Sequence, residues 1–134
     1  MHATTVAYAG RAALIRGASG SGKSGLALQM IALGGRLIAD DRTTLQRRGD
    51  ILIARCPETI RGRIEARGVG ILAAAPAEAT RLALVVDMDT EETDRLPDPD
   101  MIDILGVPLP LQKKVNLPHF PAALLSYLKH GRLA

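Results

Sequence analysis

The stretch Gly17-Ala18-Ser19-Gly20-Ser21-Gly22-Lys23-Ser24 fits the pattern G-x-x-x-x-G-K-[ST] at every constrained position. Its glycines allow a tight turn in which successive backbone N–H groups face the phosphate oxygens of a nucleotide. Lys23 would reach the β- and γ-phosphates, Ser24 would offer its hydroxyl to Mg²⁺, and the helix that begins there would direct its positive end at the same anion. The stretch therefore predicts a phosphate-binding loop in which all eight residues contact the nucleotide. A Gly/Ser-rich turn that binds nothing is the alternative.

The flanks of the loop favour phosphate binding. Ala12-Ala13-Leu14-Ile15 is a short apolar run, typical of a buried strand that enters the loop. The apolar residues from Leu26 to Leu33 predict a mostly buried helix that leaves it, and Gly34-Gly35 ends that helix. A strand before and a helix after the loop are the context that the motif requires.

Length and composition restrict the class of protein. With 134 residues, 47% hydrophobic and 2% aromatic, the chain predicts one domain over residues 1–134 with an aliphatic core. No apolar run approaches the roughly 18 residues of a membrane helix, and no signal peptide is visible. We therefore expect a cytoplasmic protein with no membrane association. The single Cys56 excludes an internal disulfide and a cysteine zinc cluster, and is expected to be a buried, small apolar side chain.

Charge is unevenly distributed along the chain. The formal net charge is +3, yet residues 87–103 hold eight carboxylates and one base. The remainder is strongly basic, which suits an anionic substrate such as ATP. The near absence of aromatic residues argues against nucleic acid as a partner. The acidic stretch is interrupted by Pro97 and Pro99 and is expected to be a solvated loop, with metal binding as the alternative.

Short strands dominate the predicted secondary structure, and the last segment, from Pro118 to Lys129, is a predicted helix. The strands are predicted at residues 4–9, 11–16, 36–39, 43–48, 51–55, 69–72 and 82–86, with an extended segment at 107–111. Several of them follow one another without an intervening helix. The sequence therefore predicts an α/β fold with a mixed sheet.

Two acids and a small cluster are further candidates for chemistry. Asp40-Asp41 ends an apolar strand seventeen residues after Lys23. Adjacent acids on an extended strand point to opposite faces, so one would approach Mg²⁺ or the phosphates while the other accepts a proton from an incoming hydroxyl. A turn or a helix N-cap is the alternative.

The cluster from Ile64 to Leu72 contains an acid, a base and two glycines within an apolar frame. Glu65 would complete the metal's ligands, and Arg67 would stabilise charge on the phosphoryl group during transfer. A salt-bridged strand end with a glycine bulge is the alternative. His2, taken alone, would be a terminal histidine without a role.

The order of these motifs resembles a known family. His2 is followed by Gly17-x-x-Gly20-x-Gly22-Lys23-Ser24, then Arg36-Leu37-Ile38-Ala39-Asp40-Asp41, then Glu65-x-Arg67-Gly68-x-Gly70-Ile71. This order resembles the catalytic, C-terminal domain of the HPr kinase/phosphorylases, bacterial enzymes that phosphorylate a serine of the phosphocarrier protein HPr. The resemblance is close from His2 to about Leu72 and looser beyond. Since the usual N-terminal domain is missing from this sequence, the chain is similar to the short form of these enzymes.

The resemblance implies a fold similar to that of phosphoenolpyruvate carboxykinase, and a hexamer in the full-length enzymes. It implies ATP and Mg²⁺ as cofactors, and HPr or a related phosphocarrier as the partner. Asp41 would accept the proton during phosphorylation and donate it in the reverse step. Lys23 would hold the phosphates, Ser24 and Glu65 would ligate Mg²⁺, and His2 would belong to the active site.

Two departures from the family pattern affect the expected reaction. Gly25 stands where the family commonly has Glu, and Gln112-Lys113-Lys114-Val115-Asn116 lacks the arginine of a catalytic glycine-arginine-asparagine motif. We therefore expect an ATP- and Mg²⁺-dependent protein serine kinase for HPr with weak or absent phosphorylase activity. A kinase for another protein or small molecule, and a nucleotide-sensing module that transfers nothing, are the alternatives.

Overall fold

Ten strands and two helices make up the computed structural model, which describes all 134 residues. The strands are β1 (Ala3–Tyr8), β2 (Arg11–Arg16), β3 (Arg36–Ala39), β4 (Thr44–Arg48), β5 (Ile51–Arg55), β6 (Arg63–Ala66), β7 (Gly70–Ala73), β8 (Thr80–Glu91), β9 (Met101–Ile104) and β10 (Val107–Lys114). The helices are α1 (Lys23–Ala32) and α2 (Phe120–His130), and Glu58–Ile60 forms one 3₁₀ turn. Neither helix is long and apolar enough to cross a membrane.

Eight of the strands form one mixed sheet. Its main order is β3-β1-β2-β8-β10-β9, and β5 pairs with the beginning of β8 while β4 pairs with β5. Strands β2 and β10 run parallel to β8, whereas β1 is antiparallel to both β2 and β3. Strands β6 and β7 form a separate hairpin. The predicted mixed sheet is therefore confirmed.

Both faces of the sheet are covered, which explains the apolar run that precedes the phosphate-binding loop. Ala12, Ala13, Leu14 and Ile15 on β2 are all fully buried. A strand buried on both faces has no reason to alternate apolar and polar residues. On one face α1 and α2 pack over a cluster of fifteen buried residues, and a second cluster of thirteen covers the other face.

Seven of the ten residues of helix α1 are buried or half-buried, in agreement with the mostly buried helix that the sequence predicted. Lys23, Leu26, Ala27 and Met30 are its buried residues. The helix contacts β1, β2 and β3 of the sheet and also α2 and β6, so only three of its residues are exposed. It ends at Ala32, two residues before the predicted Gly34-Gly35 stop.

The acidic stretch is only partly a loop. Asp87, Asp89 and Glu91 belong to β8 and Asp103 belongs to β9, while residues 92–100 have no regular structure. Strand β8 continues into the acidic stretch because β10 pairs beside it as far as Glu91. The prediction of a solvated loop is therefore correct only for the middle of this segment.

Cys56 follows β5 and is half-buried instead of fully buried. Its thiol donates to the carbonyl of Pro57 at 3.1 Å. Burial raises the pKa of the thiol above its ordinary value, although the positive charge of Arg61 opposes the shift. Because the thiolate is the reactive form, this cysteine is poorly suited to nucleophilic chemistry.

Candidate active site

The phosphate-binding loop is shaped by glycines at positive φ. Gly20 has φ 83° and Gly22, the residue that precedes α1, has φ 98°. Both values lie in the region that side-chain-bearing residues rarely adopt. No side chain caps the N-terminus of α1, and its first turn contains no acid. The free N–H groups and the positive end of the helix are therefore available to an anion at the loop.

Lys23 is folded into the loop. It is only 7% exposed, and its ammonium donates to the carbonyls of Gly17 at 2.8 Å and Ala18 at 3.2 Å. Nearby, the Ser21 hydroxyl is buried without a hydrogen-bond partner. A buried polar atom without a partner is costly. An uncapped helix end, an ammonium and an unpartnered hydroxyl are a donor set that fits a polyphosphate.

A cleft of about 430 Å³ opens over the loop and brings most of the predicted site residues together. Ser19, Gly20, Gly22, Lys23 and Ser24 form its loop side. The other side is formed by β6 and the turn after β3, which contribute Asp41, Glu65 and Arg67. Gly17, Ala18 and Ser21 belong to the same loop but are not on the wall of this cleft.

Asp40 connects three elements through its carboxylate. Its Oδ1 atom accepts hydrogen bonds from the hydroxyls of Ser24 at 2.7 Å and Thr4 at 3.0 Å. Its Oδ2 atom accepts from the backbone N–H of Glu65 at 2.9 Å. Because the Ser24 proton is donated to Asp40, the oxygen lone pairs of Ser24 remain available for a cation.

The side chain of Asp41 points away from that of Asp40. The cause is not the alternation along an extended strand that the sequence suggested. Strand β3 ends at Ala39, and Asp41 adopts a left-handed conformation with φ 67° in the bend that follows. The two acids therefore diverge because the chain turns between them, not because they alternate along a strand. The Asp41 carboxylate lies 2.5 Å from Nε2 of His2.

His2 is held against the turn that carries Asp41. It forms an antiparallel bridge with Arg42, and the N–H of Thr43 donates to the carbonyl of Met1 at 3.0 Å. About half of the His2 side chain and 64% of the Asp41 side chain are exposed. The pair is therefore ordered by the backbone and open to an incoming molecule.

A second cleft, of about 470 Å³, lies on the other side of the same acid. Its walls include His2, Asp41, Arg42 and Thr44. Asp41 is the residue common to this cleft and the cleft over the loop. The two clefts therefore meet at Asp41.

Glu65 and Arg67 lie on the β6–β7 hairpin, and both side chains are exposed. Neither forms an ion pair in the structure, whose two ion pairs join His2 to Asp41 and Arg61 to Glu78. Gly68, with φ 84°, lies in the turn of the hairpin. The alternative of a salt-bridged strand end with a glycine bulge is therefore wrong.

No group of three or more His, Cys, Asp and Glu side chains is close enough to hold a metal by itself. Mg²⁺ seldom needs such a cage, because it usually binds through one or two carboxylates together with phosphate oxygens and water. Ser24 and Glu65 both line the cleft over the loop and carry oxygen atoms of the kind that this ion prefers. The donor set therefore fits Mg²⁺ bound together with a nucleotide.

Two residues of the site were missed at the level of sequence. The Asp89 carboxylate accepts from the backbone N–H of Ala18 at 2.9 and 3.2 Å, so it contacts the phosphate-binding loop. The fully buried Thr4 contacts both acids of the pair. Strand β8 is parallel to β2, so its C-terminal end lies at the same edge of the sheet as the loop that follows β2. The strand predicted from the sequence ended at Val86. A predicted strand that continued past Val86 would have placed Asp89 beside the loop.

The segment that lacks the family arginine lies beside the loop. Lys114 ends β10, and Lys114 and Asn116 line a third cleft of about 590 Å³. That cleft shares Gly22 and Gly25 with the cleft over the loop. Positive charge is therefore retained next to the phosphate-binding loop.

Residues 1–118 match the protein family described as HPr Serine kinase C-terminal domain. The HPr kinase/phosphorylases of Acidovorax sp. (strain JS42) and Cupriavidus metallidurans are 37% and 36% identical to this chain over 123 and 125 residues. These alignments cover 81% and 84% of this chain. This chain spans only 39% of the length of each relative.

A solved structure, the Hpr(Ser) kinase/phosphatase from Coxiella burnetii, is similar to this chain with a TM-score of 0.79. The similarity covers 96% of this chain and 93% of that chain at 23% sequence identity. The predicted α/β fold, with the phosphate-binding loop on a mixed sheet, is confirmed.

Proposed function

We propose, from the premise that this chain belongs to the HPr serine kinase C-terminal domain family, that it carries the catalytic site of an ATP- and Mg²⁺-dependent protein serine kinase. Its acceptor is HPr or a related phosphocarrier protein in the cytoplasm. Phosphorylase activity is weak or absent. The hexamer expected from the resemblance remains part of this proposal.

The shared position of Asp41 supports the proposal most directly. A phosphoryl transfer needs the nucleotide on one side of the acceptor oxygen and the acceptor's own chain on the other. Asp41 lines the cleft over the phosphate-binding loop and also the neighbouring cleft. A seryl hydroxyl that enters through the second cleft would meet this carboxylate at the boundary of the first.

Each residue has a role that its contacts permit. Lys23 and the N-terminus of α1 stabilise the charge of the β- and γ-phosphates, and Arg67 does so on the phosphoryl group in transfer. Asp41 accepts the proton of the seryl hydroxyl, and His2 orients the carboxylate through its hydrogen bond. Ser24 and Glu65 would hold Mg²⁺, which would supply further neutralisation of the phosphate charge.

Asp40 is assigned to the metal side of the site. Its carboxylate accepts from Ser24 and from the backbone of Glu65, the two proposed ligand-bearing residues. Partners of this kind orient the groups that bind a metal. Proton acceptance and metal support are thus divided between neighbouring acids.

The experiment is incubation of the protein with γ-labelled ATP, Mg²⁺ and purified HPr, with Lys23→Ala as the inactive control. Label on a serine of HPr that is absent with Lys23→Ala supports the proposal. Label on other proteins or small molecules, but not on HPr, would instead identify a kinase with a different acceptor. Tight ATP binding without any transfer would identify a nucleotide-sensing module, a role that Gly25 and the missing arginine favour.

A further inference from the structure

The hydroxyl of Thr4 contacts both acids of the Asp40-Asp41 pair. It donates to Oδ1 of Asp40 at 3.0 Å and accepts the backbone N–H of Asp41 at 3.1 Å. The side chain belongs to β1 and is fully buried. One hydroxyl, with its proton and a lone pair both used, thus joins two acids that point in different directions.

The conformation of Asp41 depends on the contacts around it. Its φ of 67° is uncommon for a residue with a side chain and is sustained only where neighbouring groups hold it. The N–H of Asp41 donates to Thr4, and its carbonyl accepts the N–H of Ala3 at 3.0 Å. Both backbone groups of Asp41 are therefore held by the beginning of β1.

The same hydroxyl continues to the phosphate-binding loop. Asp40 Oδ1 accepts from Thr4 and also from Ser24. A chain of hydrogen bonds therefore runs from the backbone of Asp41 through Thr4 and Asp40 to Ser24. This chain fixes the proton acceptor relative to the serine that offers its oxygen to the metal.

We propose that Thr4 is a positioning residue for phosphoryl transfer, because its hydroxyl holds the turn that separates the roles of Asp40 and Asp41. This inference rests on the proposed function, since the roles of the two acids are those of a kinase. Thr4 does not line the cleft over the loop, so it acts through the acids and not on the substrate.

The adjacent Thr5 provides a matched control. It is fully buried on the same strand, and its hydroxyl is paired with the hydroxyl of Thr43 at 2.7 Å. It has no hydrogen bond to either acid. Thr5→Val therefore removes a buried hydroxyl of the same kind from the same strand while the Asp40-Asp41 turn keeps its contacts.

The test compares Thr4→Val, Thr4→Ser and Thr5→Val with the wild type. Thr4→Val keeps the shape of the side chain, but it leaves the Asp41 N–H without its acceptor and Asp40 without one donor. We expect kcat to fall about 10- to 100-fold, with KM for ATP within about 3-fold, because misplacement of a reacting group reduces the rate more than binding. Thr4→Ser restores the hydroxyl and should return kcat to within about 3-fold of the wild type.

Thr5→Val should lower the melting temperature about as much as Thr4→Val while kcat stays within about 3-fold of the wild type. A wild-type kcat in Thr4→Val, no recovery in Thr4→Ser, or an equal loss of kcat in Thr5→Val would each overturn the inference.

A second measurement separates this inference from the proposed function. Hydrogen exchange of the Asp41 amide, followed by NMR without substrate, should be slow in the wild type, Thr4→Ser and Thr5→Val. It should be about 10-fold faster in Thr4→Val, because the amide loses its acceptor. If the wild type transfers no phosphate, the proposed function fails, and the exchange rates alone decide whether Thr4 holds the acid pair. Equal exchange in Thr4→Val and the wild type shows that it does not.

Discussion

At the scale of single residues, the site depends on where two neighbouring carboxylates point. Asp40 accepts hydrogen bonds within the protein, whereas Asp41 contacts His2 and faces both clefts. Both residues are aspartates with the same intrinsic chemistry, so only their surroundings distinguish the proposed proton acceptor, Asp41, from the proposed metal-supporting acid, Asp40.

Replacement of Asp41 by Asn keeps its size and much of its hydrogen bonding but removes its ability to accept a proton. We expect kcat to fall about 10²–10⁴-fold with nearly unchanged affinity for ATP. Steady-state kinetics with HPr and equilibrium binding of ATP measure the two effects. Asp40→Asn is the comparison variant, and it should raise the Mg²⁺ concentration that is needed for half-maximal activity. An unimpaired Asp41→Asn protein would show that another group accepts the proton.

Asp89 places a negative charge against the N–H of Ala18, in the loop that would receive phosphates. Asp89→Asn keeps an oxygen that accepts this hydrogen bond and removes the charge. We expect ATP to bind about 3-fold more tightly at low ionic strength, and the difference to shrink as salt screens the charge. Isothermal titration at two salt concentrations measures this.

The control for Asp89 is Asp98→Asn, which removes the same charge from the exposed 92–100 segment. It should change the affinity for ATP much less than Asp89→Asn does. Weaker binding of ATP by Asp89→Asn would show that the carboxylate supports the shape of the loop more than it repels the phosphates.

At the scale of elements, helix α1 must begin at the phosphate-binding loop and end against β1. Its first turn contains Gly25, where an added Cβ would meet no atom within 4 Å. Beyond its end, an added Cβ at Gly35 would lie 2.8 Å from Cγ1 of Val6 and 3.0 Å from the carbonyl oxygen of Met30. The structure therefore has room for a side chain at position 25 but not at position 35.

Gly25→Ala should stabilise the protein by about 0.5 kcal/mol, because alanine restricts the unfolded chain and suits a helix. Gly35→Ala should destabilise it by about 1–3 kcal/mol, because the helix end and β1 must move apart. Urea unfolding monitored by circular dichroism measures both changes. A neutral Gly35→Ala protein would show that the contact between helix and strand relaxes easily.

At the scale of the whole molecule, the charges around the loop would determine the direction of the proposed reaction. In that proposal, forward transfer would have Lys23, Mg²⁺ and Arg67 to neutralise the phosphates. The reverse reaction must also orient free inorganic phosphate, for which the planar fork of an arginine is suited and an ammonium is not. Lys114 retains positive charge beside the loop but cannot reproduce that geometry.

We therefore expect phosphorylation of HPr from ATP with little or no phosphorolysis of seryl-phosphorylated HPr. Release of pyrophosphate in excess inorganic phosphate measures the reverse rate. The matched variant is Lys114→Arg, which should raise the reverse rate more than the forward rate. A wild-type reverse rate comparable to the forward rate would mean that the lysines, or groups outside this chain, replace the arginine.

Much of the architecture could be predicted from the sequence because it depends on local patterns. The apolar run at 12–15 and the hairpin about Gly49 were found as predicted, and so was the long central strand, although it extends further than its apolar part. Strand β6 was missed. It has only four residues, of which Ile64 and Ala66 are buried, and so short a pattern does not distinguish a strand from the end of a loop.

The sequence by itself determined the phosphate-binding loop, the mixed sheet and the identity of the acids that follow β3. The spacing of glycines and apolar residues is a local property, and it constrains backbone conformation directly. Only the tertiary structure decided which acid faces the clefts, that His2 joins Asp41, and that Thr4 and Asp89 belong to the site. These contacts link residues 36 to 71 positions apart. Hydrogen bonds over such separations exist only once the sheet brings the strand ends together, so no local pattern records them.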